Sequence, residues 1–270
     1  MKRFLAILLM SFLFLTSCSK EPKSITLATT TSTQDSGLLD YLLPYFEKDT
    51  GIKVKVIAKG TGEALEIGKR GDADCLLVHA KAKEIDFINQ GYGIKRYQVM
   101  YNDFVIVGPK GDIAKIKQKA NDDPIKAFEL IYKSNSKFIS RGDESGTHQK
   151  EKDIWKKANI EPKWDNYIVT GLGMGQVLNM ANEKNAYTLT DRGTYLSMKD
   201  KLELQVVCEK NPILINQYSL IMLNSEKINF KKEEAKIFID WMLSERGQKL
   251  IGEFGKEKYG QSLFIPNAGR

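Results

Sequence analysis

Cysteine and histidine are scarce in this sequence. Its 270 residues include three cysteines and two histidines. Cys75 and Cys208 each lie in an apolar, strand-like run, which favours two buried free thiols over a disulfide. No cysteine or histidine has the spacing of a metal site, so the sequence predicts neither a metal nor a cofactor. Because neither His79 nor His148 has an obvious partnering acid, the pattern disfavours a Ser–His–Asp hydrolase.

Long apolar runs are also missing beyond the start of the chain. Lys2 and Arg3 precede an apolar run over residues 4–15, whose 12 residues are too few to cross a bilayer as a helix. This pattern predicts a signal peptide over residues 1–17 and a tether over residues 18–23.

The end of the signal region allows two interpretations. Leu15-Thr16-Ser17-Cys18 resembles a bacterial lipobox, in which Cys18 becomes the lipidated first residue of the mature protein. The alternative is cleavage nearby that releases an unlipidated protein. The first interpretation is favoured and predicts a location in the periplasm or at the outer face of the cell membrane, with a lipid anchor at Cys18.

The excess of positive charge is small. Without Lys2 and Arg3, the 41 basic residues fall to 39 against 34 acidic ones, a net charge of +5. Basic and acidic residues are interleaved, as they are on solvated helix faces. This balance suits a small anionic ligand and lacks the basic stripe of a nucleic-acid-binding protein.

The first part of the mature sequence combines a strand, a hydroxyl-rich turn and a helix. Residues 25–28 are strand-like, residues 29–33 are all Ser or Thr, and apolar residues at helical spacing run from Leu38 until Gly51. One hydroxyl is enough to cap a helix, whereas five are present here. Unpaired backbone N–H groups and the helix dipole favour an anion at such a turn. The stretch therefore predicts either a simple helix cap or an anion-binding turn.

Strands and helices alternate along the rest of the chain. This alternation predicts an α/β fold with mixed sheets flanked by helices, and ligands in such folds bind beyond the carboxyl ends of the strands. Two long apolar runs, residues 99–108 and 206–223, bracket the middle of the chain like crossing strands. They predict a discontinuous first lobe, residues 24–104 and 212–270, and a second lobe, residues 105–211.

The tail of the chain has a helical pattern of its own. Apolar residues recur at helical spacing between residues 231 and 254: Ile237, Phe238, Trp241, Met242 and Leu250. The pattern predicts one long amphipathic helix that ends before Gly255.

Five predicted strand-to-helix turns are rich in hydroxyl groups or glycine. They are residues 29–33, 60–62, 141–147, 171–175 and 187–191. Together they predict a cleft walled by helix N-termini and hydroxyls, with Arg141 as its one obvious cation. Enzyme motifs do not fit: Ser145 stands one place late for a G-x-S-x-G nucleophile elbow, and the glycines match neither a P-loop nor a dinucleotide fingerprint.

Five motifs resemble, in the same order, those of the tungstate-binding proteins (TupA type) of bacterial tungstate ABC importers. They are Thr29-Thr30-Thr31-Ser32-Thr33-x-x-Ser36-Gly37-Leu38, Gly60-Thr61-Gly62-Glu63-Ala64, Asn102-Asp103-Phe104-Val105-Ile106-Val107-Gly108-Pro109, Ser140-Arg141-Gly142-Asp143-x-Ser145-Gly146-Thr147-His148 and Tyr187-Thr188-Leu189-Thr190-Asp191-Arg192. The resemblance covers essentially the whole mature chain.

This resemblance implies a two-lobed periplasmic-binding-protein fold (type II) of the molybdate/sulfate class, with the oxyanion in the cleft between the lobes. It implies a non-enzymatic monomer that delivers its ligand to an ABC permease in the inner membrane. Nucleic acid is not an expected partner, and the membrane is one only through the lipid anchor. The residues implied to bind the oxyanion are Thr30, Ser32, Thr61, Arg141, Ser145 and Thr147, with the backbone around Gly173 and Gly175 as a further candidate.

The chemistry of the ligand agrees with this residue set. Tungstate and molybdate are fully deprotonated dianions at neutral pH, so their pocket should contain donors only, and a planar guanidinium can donate two bonds to one edge of the anion. Hydrogenphosphate carries a proton and needs an acceptor, which Asp143, Glu144 or Asp191 could supply. Molybdate, sulfate and phosphate therefore stay open as ligands.

Two other classes of function also stay open. One is an exported serine hydrolase that uses Ser145 or Ser32 as its nucleophile. The other is a signalling or adhesion module that keeps the fold without the ligand.

Overall fold

A computed structural model of the chain describes residues 23–269. The predicted signal peptide, almost all of the predicted tether and Cys18 lie outside these residues. The strands are β1 (Ser24–Thr30), β2 (Lys53–Lys59), β3 (Cys75–Val78), β4 (Gly93–Pro109), β5 (Phe138–Ser140), β6 (Tyr167–Val169), β7 (Thr188–Asp191), β8 (Leu204–Cys208), β9 (Ile215–Leu223) and β10 (Ile265–Pro266). The helices are α1 (Thr31–Asp35), α2 (Leu38–Thr50), α3 (Thr61–Lys69), α4 (Lys81–Asn89), α5 (Ile116–Lys119), α6 (Pro124–Lys133), α7 (Gly146–Lys157), α8 (Met174–Lys184), α9 (Arg192–Met198), α10 (Lys232–Leu243), α11 (Glu245–Glu253) and α12 (Lys256–Tyr259).

The larger sheet is mixed, and the long strand β4 joins its two parts. The order β10-β4-β9-β3-β1-β2 contains parallel pairs of β1 with β2 and β3, and antiparallel pairs of β9 with β3 and β4. β4 pairs with β9 over residues 93–103 and with β7 and β8 over residues 104–109. The parallel pair β5–β6 lies beside β7, to which Phe138 forms a bridge at Tyr187. The mixed α/β architecture that the sequence predicts is confirmed.

Four hydrophobic clusters cover the faces of these sheets. The buried residues of two clusters come from residues 25–100 and 218–264, and they enclose the sheet around β1 and β3. Those of the other two come from residues 104–214 and pack around β5, β7 and the second half of β4. The change from one pair of clusters to the other falls in β4 after Met100 and in β9 before Tyr218.

The prediction of one long tail helix is wrong. The chain forms α10 and α11 instead, because Ser244 between them has an extended backbone (ψ 161°) and its hydroxyl accepts a hydrogen bond of 3.2 Å from the Gly247 N–H. A serine that caps a new helix in this way ends the preceding one. Gly247 fits the tight turn because a Cβ there would overlap the Trp241 carbonyl oxygen. Ile237 in α10 is 39% exposed, so its predicted place on the buried face is also wrong.

Two smaller predictions are confirmed. Cys75 and Cys208 are buried and free. α2 ends at Gly51, which has the left-handed conformation (φ 71°) typical of a helix C-terminus. No helix within residues 23–269 combines the length and the apolar character needed to cross a bilayer.

Candidate functional site

A cavity of about 570 Å³ lies where strand-to-helix turns face the C-terminal segment. Its lining comes from the turns β1–α1, β6–α8 and β7–α9, from Arg141 after β5, and from the segment around α12. Four of the five turns predicted from the sequence connect a strand to a helix. The fifth, residues 187–191, forms strand β7 (Thr188–Asp191), which runs directly into α9. The cavity is walled by residues from both pairs of hydrophobic clusters, so it lies between the two parts of the fold.

The predicted binding residues fall into two groups. Four line the cavity: Ser32, Arg141, Gly173 and Gly175. The other four are not among its lining residues: Thr30, Thr61, Ser145 and Thr147. Thr30 is 3% exposed, directly before the cavity residues of α1, and Thr147 is buried in the first turn of α7. Ser145 caps α7. Thr61 begins α3, and its turn, residues 60–62, is the one predicted turn that contributes no lining residue.

Arg141 is largely buried and has an unused donor. Its side chain is 14% exposed, and its Nη2 atom donates to the Asp143 carboxylate. Burial works to raise the pKa of Asp143, but the hydrogen bond from Ser145 and the positive charge of Arg141 together outweigh it and leave that pKa below its ordinary value. The Arg141 Nε–H is buried and has no hydrogen-bond partner within residues 23–269. A buried donor without an acceptor is costly, by about 1–3 kcal/mol, and this one belongs to a cavity-lining residue.

The hydroxyls of the β1–α1 turn converge on one imidazole. Thr30 Oγ1 and Ser32 Oγ each lie 3.1 Å from His79 Nε2, and Thr30 Oγ1 accepts the Thr33 N–H at 3.3 Å as the cap of α1. On the other side of the ring, His79 Nδ1 donates to Asn216 Oδ1 at 3.0 Å. Burial lowers the pKa of His79 to about 4, so the ring is neutral at pH 7. The sequence pattern did not assign His79 to the site, because the residue lies 47 positions from Ser32.

Three further features of the site differ from the expectations. Lys258 lines the cavity, so Arg141 is not its one cation. His148 does have an acid nearby, since its Nδ1 lies 3.3 Å from a Glu144 carboxylate oxygen and accepts the Glu144 N–H at 3.0 Å. Asp191 lines the cavity but its carboxylate accepts both the N–H (2.8 Å) and the hydroxyl (2.7 Å) of Thr194. The short helix that carries Lys258 could have been recognised from Gly255 and Gly260, which flank it in left-handed conformations.

Comparison with known proteins places this geometry in a family. Residues 18–246 match the family model described as PBP superfamily domain. The chain is 52% identical over its full length, and over the full length of the relative, to a protein named tungstate-binding protein TupA from Peptoclostridium acidaminophilum. It is 40% identical to a protein of the same name from Campylobacter jejuni, with 88% of each chain covered.

A solved structure agrees with these relatives. The structure described as the tungstate-binding protein TupA from Desulfovibrio alaskensis G20 superposes with a TM-score of 0.83 at 46% identity, covering 91% of this chain and 99% of that one. A second, described as the tungstate ABC transporter from Geobacter sulfurreducens, has a TM-score of 0.76 at 46% identity, with 86% and 98% covered. The chain therefore belongs to the PBP superfamily and, within it, to the family of TupA-type tungstate-binding proteins.

Proposed function

We propose that this protein is an extracytoplasmic substrate-binding protein that captures tungstate, and molybdate less tightly, and delivers it to an ABC importer. The anion would occupy the 570 Å³ cavity, held by Ser32, Arg141 and the backbone at Gly173 and Gly175. Thr30, Thr61, Ser145 and Thr147 remain proposed members of the site, although they do not line this cavity. The names of the relatives support the ligand class.

The buried Nε–H of Arg141 is the observation that carries the proposal. Its neighbour Nη2 is already used by Asp143, so the donor left over is the one that an anion in the cavity would satisfy. A guanidinium offers two N–H groups along one edge, which suits two oxygens of a tetrahedral anion.

The acidic residues favour an anion that carries no proton. Asp143 accepts from Arg141 and Ser145, Glu144 pairs with Lys152 at 2.7 Å, and Asp191 accepts twice from Thr194. Each of the three carboxylates is already engaged, which makes it a poorer acceptor for hydrogenphosphate than a free carboxylate would be. Asp35 also lines the cavity and is exposed to solvent. Its carboxylate could accept the proton of hydrogenphosphate, so phosphate has to be included in the test.

We expect a calorimetric titration to rank tungstate first and molybdate second, with sulfate and phosphate weaker by about tenfold or more, which is ~1.4 kcal/mol per decade. An all-donor pocket rewards a fully deprotonated dianion over hydrogenphosphate, which carries a proton. Sulfate is also a dianion but is smaller than tungstate, so it would reach fewer of the donors at once. Absence of heat with all four anions would contradict the proposal and favour a module that keeps the fold without the ligand. Phosphate binding as tightly as tungstate would show that an acceptor is available.

The lobe boundaries support a cleft that opens for release. We propose that residues 24–104 and 212–270 form one lobe and residues 105–211 the other, in agreement with the change of hydrophobic cluster within β4 and before β9. A monomer with this organisation would present its cleft to the permease of the importer.

We further propose that the mature chain begins at a lipidated Cys18 on the outer face of the cell membrane. The motivation is the sequence Leu15-Thr16-Ser17-Cys18 after the apolar run of residues 4–15. Mass spectrometry of the protein isolated from its membrane fraction should find a diacylglyceryl-modified cysteine at the N-terminus. An unmodified N-terminus downstream of Cys18 would contradict the anchor.

One observation favours an alternative function. Ser32, His79 and Asn216 stand in the order of a nucleophile, a base and an orienting group, with distances of 3.1 and 3.0 Å. The lowered pKa of His79 makes it a weak base, and Thr30 competes for the same nitrogen. Ser145 accepts the backbone N–H of His148 and not its ring. Turnover of a simple aryl ester that is lost in Ser32→Ala would favour the hydrolase.

A further inference from the structure

We propose that His79 is a positioning residue for anion binding. Its Nε2 atom accepts the hydroxyl proton of Thr30, and this leaves the Ser32 hydroxyl free to donate to the ligand. The inference rests on the proposed function and divides the two hydroxyls, which look equivalent in the sequence, into one that orients and one that binds.

The tautomer of His79 is set by two asparagines. Asn216 Nδ2 donates to Asn102 Oδ1 at 2.9 Å and to the Tyr218 hydroxyl at 3.2 Å, so the Asn216 oxygen is the atom that faces His79 Nδ1. An amide oxygen can only accept, which places the imidazole proton on Nδ1. Nε2 then carries a lone pair and must receive a proton from a neighbour.

Thr30 is the neighbour that supplies this proton. Its Oγ1 receives the Thr33 N–H at 3.3 Å, and it lies 2.6 Å from the Thr33 hydroxyl. Thr33 is fully buried and Thr30 is the hydrogen-bond partner of its hydroxyl in the described part of the chain, so Thr33 donates there as well. With two bonds accepted, Thr30 has one proton to give, and two acceptors are in reach: His79 Nε2 at 3.1 Å and Ser32 Oγ at 3.2 Å. The imidazole nitrogen is the more basic of the two and is assigned this proton.

Ser32 is left with a proton that the surrounding groups do not take. His79 Nε2 and both lone pairs of Thr30 Oγ1 are occupied. The Tyr218 hydroxyl oxygen accepts amide protons from Asn216 at 3.2 Å and Asn102 at 3.5 Å, so its lone pairs are already engaged. Ser32 lines the cavity, so its own hydroxyl proton points to the ligand.

The ring of His79 has two close neighbours. It packs on Tyr218 with 4.6 Å between ring centroids. Gly146, the first residue of α7, also lies against it, and a Cβ there would stand 2.6 Å from His79 Cε1. Glycine thus permits α7, which follows the Arg141 turn, to approach the ring. His79 therefore lies next to the helix that follows the Arg141 turn.

Imidazole ¹⁵N NMR tests the tautomer directly. The chain contains two histidines, so His148→Gln assigns the spectrum. We expect His79 at pH 7 to show a protonated Nδ1 and an unprotonated Nε2, both without and with tungstate. A protonated Nε2 would overturn the inference. This measurement needs no ligand, so it decides the network even if tungstate does not bind.

Two substitutions test the effect on affinity. His79→Leu keeps an apolar side chain without an acceptor and should weaken tungstate binding by about tenfold or more. His79→Gln can place its amide oxygen near the position of Nε2 and should recover most of this loss, to within about threefold of the wild type. Thermal unfolding of the ligand-free variants measures their stability separately. A loss of affinity that is rescued in His79→Gln without a matching change in stability is then an effect on binding.

Two binding results would overturn the inference. One is His79→Leu binding tungstate within threefold of the wild type. The other is a folded His79→Gln protein that binds as weakly as His79→Leu. If His79→Leu does not fold, the wild-type tautomer and the Gln variant decide. Failure of the wild-type protein to bind tungstate would instead contradict the proposed function.

Discussion

Replacing Arg141 by alanine is expected to weaken tungstate binding by roughly 100-fold or more, about 3 kcal/mol. A guanidinium forms charge-assisted hydrogen bonds, and its loss leaves a largely buried dianion without compensation. Arg141→Lys should recover part of the affinity, because an ammonium supplies the charge without the planar pair of N–H groups. Thr30→Ala should cost less, on the order of 1–2 kcal/mol, since it removes one neutral hydroxyl. Calorimetry of the wild type and these three variants, each with tungstate and with molybdate, measures the affinities.

The controls for Arg141 separate a local effect from a general one. Arg70→Ala removes an exposed arginine at the end of α3, which pairs with Asp72, and should leave binding unchanged. Arg141→Ala also frees the Asp143 carboxylate to repel the anion, so Arg141→Ala combined with Asp143→Asn should regain some affinity. We expect the tungstate preference over molybdate to shrink with Arg141. Binding of Arg141→Ala within about threefold of the wild type, ~0.7 kcal/mol, would place Arg141 outside the site.

The protein is expected to lose about 3 kcal/mol of stability between pH 4.5 and pH 7 through Glu151 alone. Burial in α7 raises the pKa of this carboxyl to about 7, although Tyr167, Ser140 and Trp155 donate to it at 2.7, 2.8 and 3.1 Å. The positive charge of Lys152 also acts to lower this pKa, but burial outweighs it. Because the folded state keeps a proton that the unfolded chain releases above its ordinary pKa, stability is highest below pH 4.5 and falls until about pH 7.

Urea unfolding of the ligand-free protein at several pH values measures this contribution. His79 acts in the opposite direction, since its lowered pKa costs stability as the pH falls from 6.5 towards 4. The quantity to compare is therefore the free energy of unfolding of the wild type minus that of Glu151→Gln. This difference should fall as the pH rises, because only the wild type pays for ionising a buried carboxyl. Glu129→Gln is the control: this partly exposed glutamate pairs with Lys126 and Lys133, and its pKa is lowered. A difference that does not change between pH 5 and pH 8 would contradict the raised pKa of Glu151.

The sequence predicted the alternating architecture well because each of its elements is encoded locally. Apolar periodicity located most strands and helices, and Gly51 marked the end of α2. The tail helix was mispredicted for a local reason that the periodicity hides. Ser244 can cap a new helix or continue the old one, and only the packing of Gly247 against Trp241 decides.

The candidate site was predictable where it lies at strand ends and was not where it depends on distant contacts. Arg141 and Ser32 follow strands directly, so their position at the sheet edge could be inferred. His79 enters through its distance to two hydroxyls, and its protonation is set by Asn216, 137 residues away. Lys258 reaches the cavity through the position of the C-terminal segment. No local pattern contains such information.

The pairing of β4 with β9 restricts how the molecule can move. The two strands cross between the hydrophobic clusters side by side, with Asn102 opposite Asn216 and Asp103 opposite Ile215. In-plane bending of a hydrogen-bonded ribbon would stretch its ladder, whereas bending across its face leaves the bonds nearly unchanged. An opening of the cavity by movement of the proposed lobes would thus be confined to one bending direction, and closure would return the same donors to the same positions.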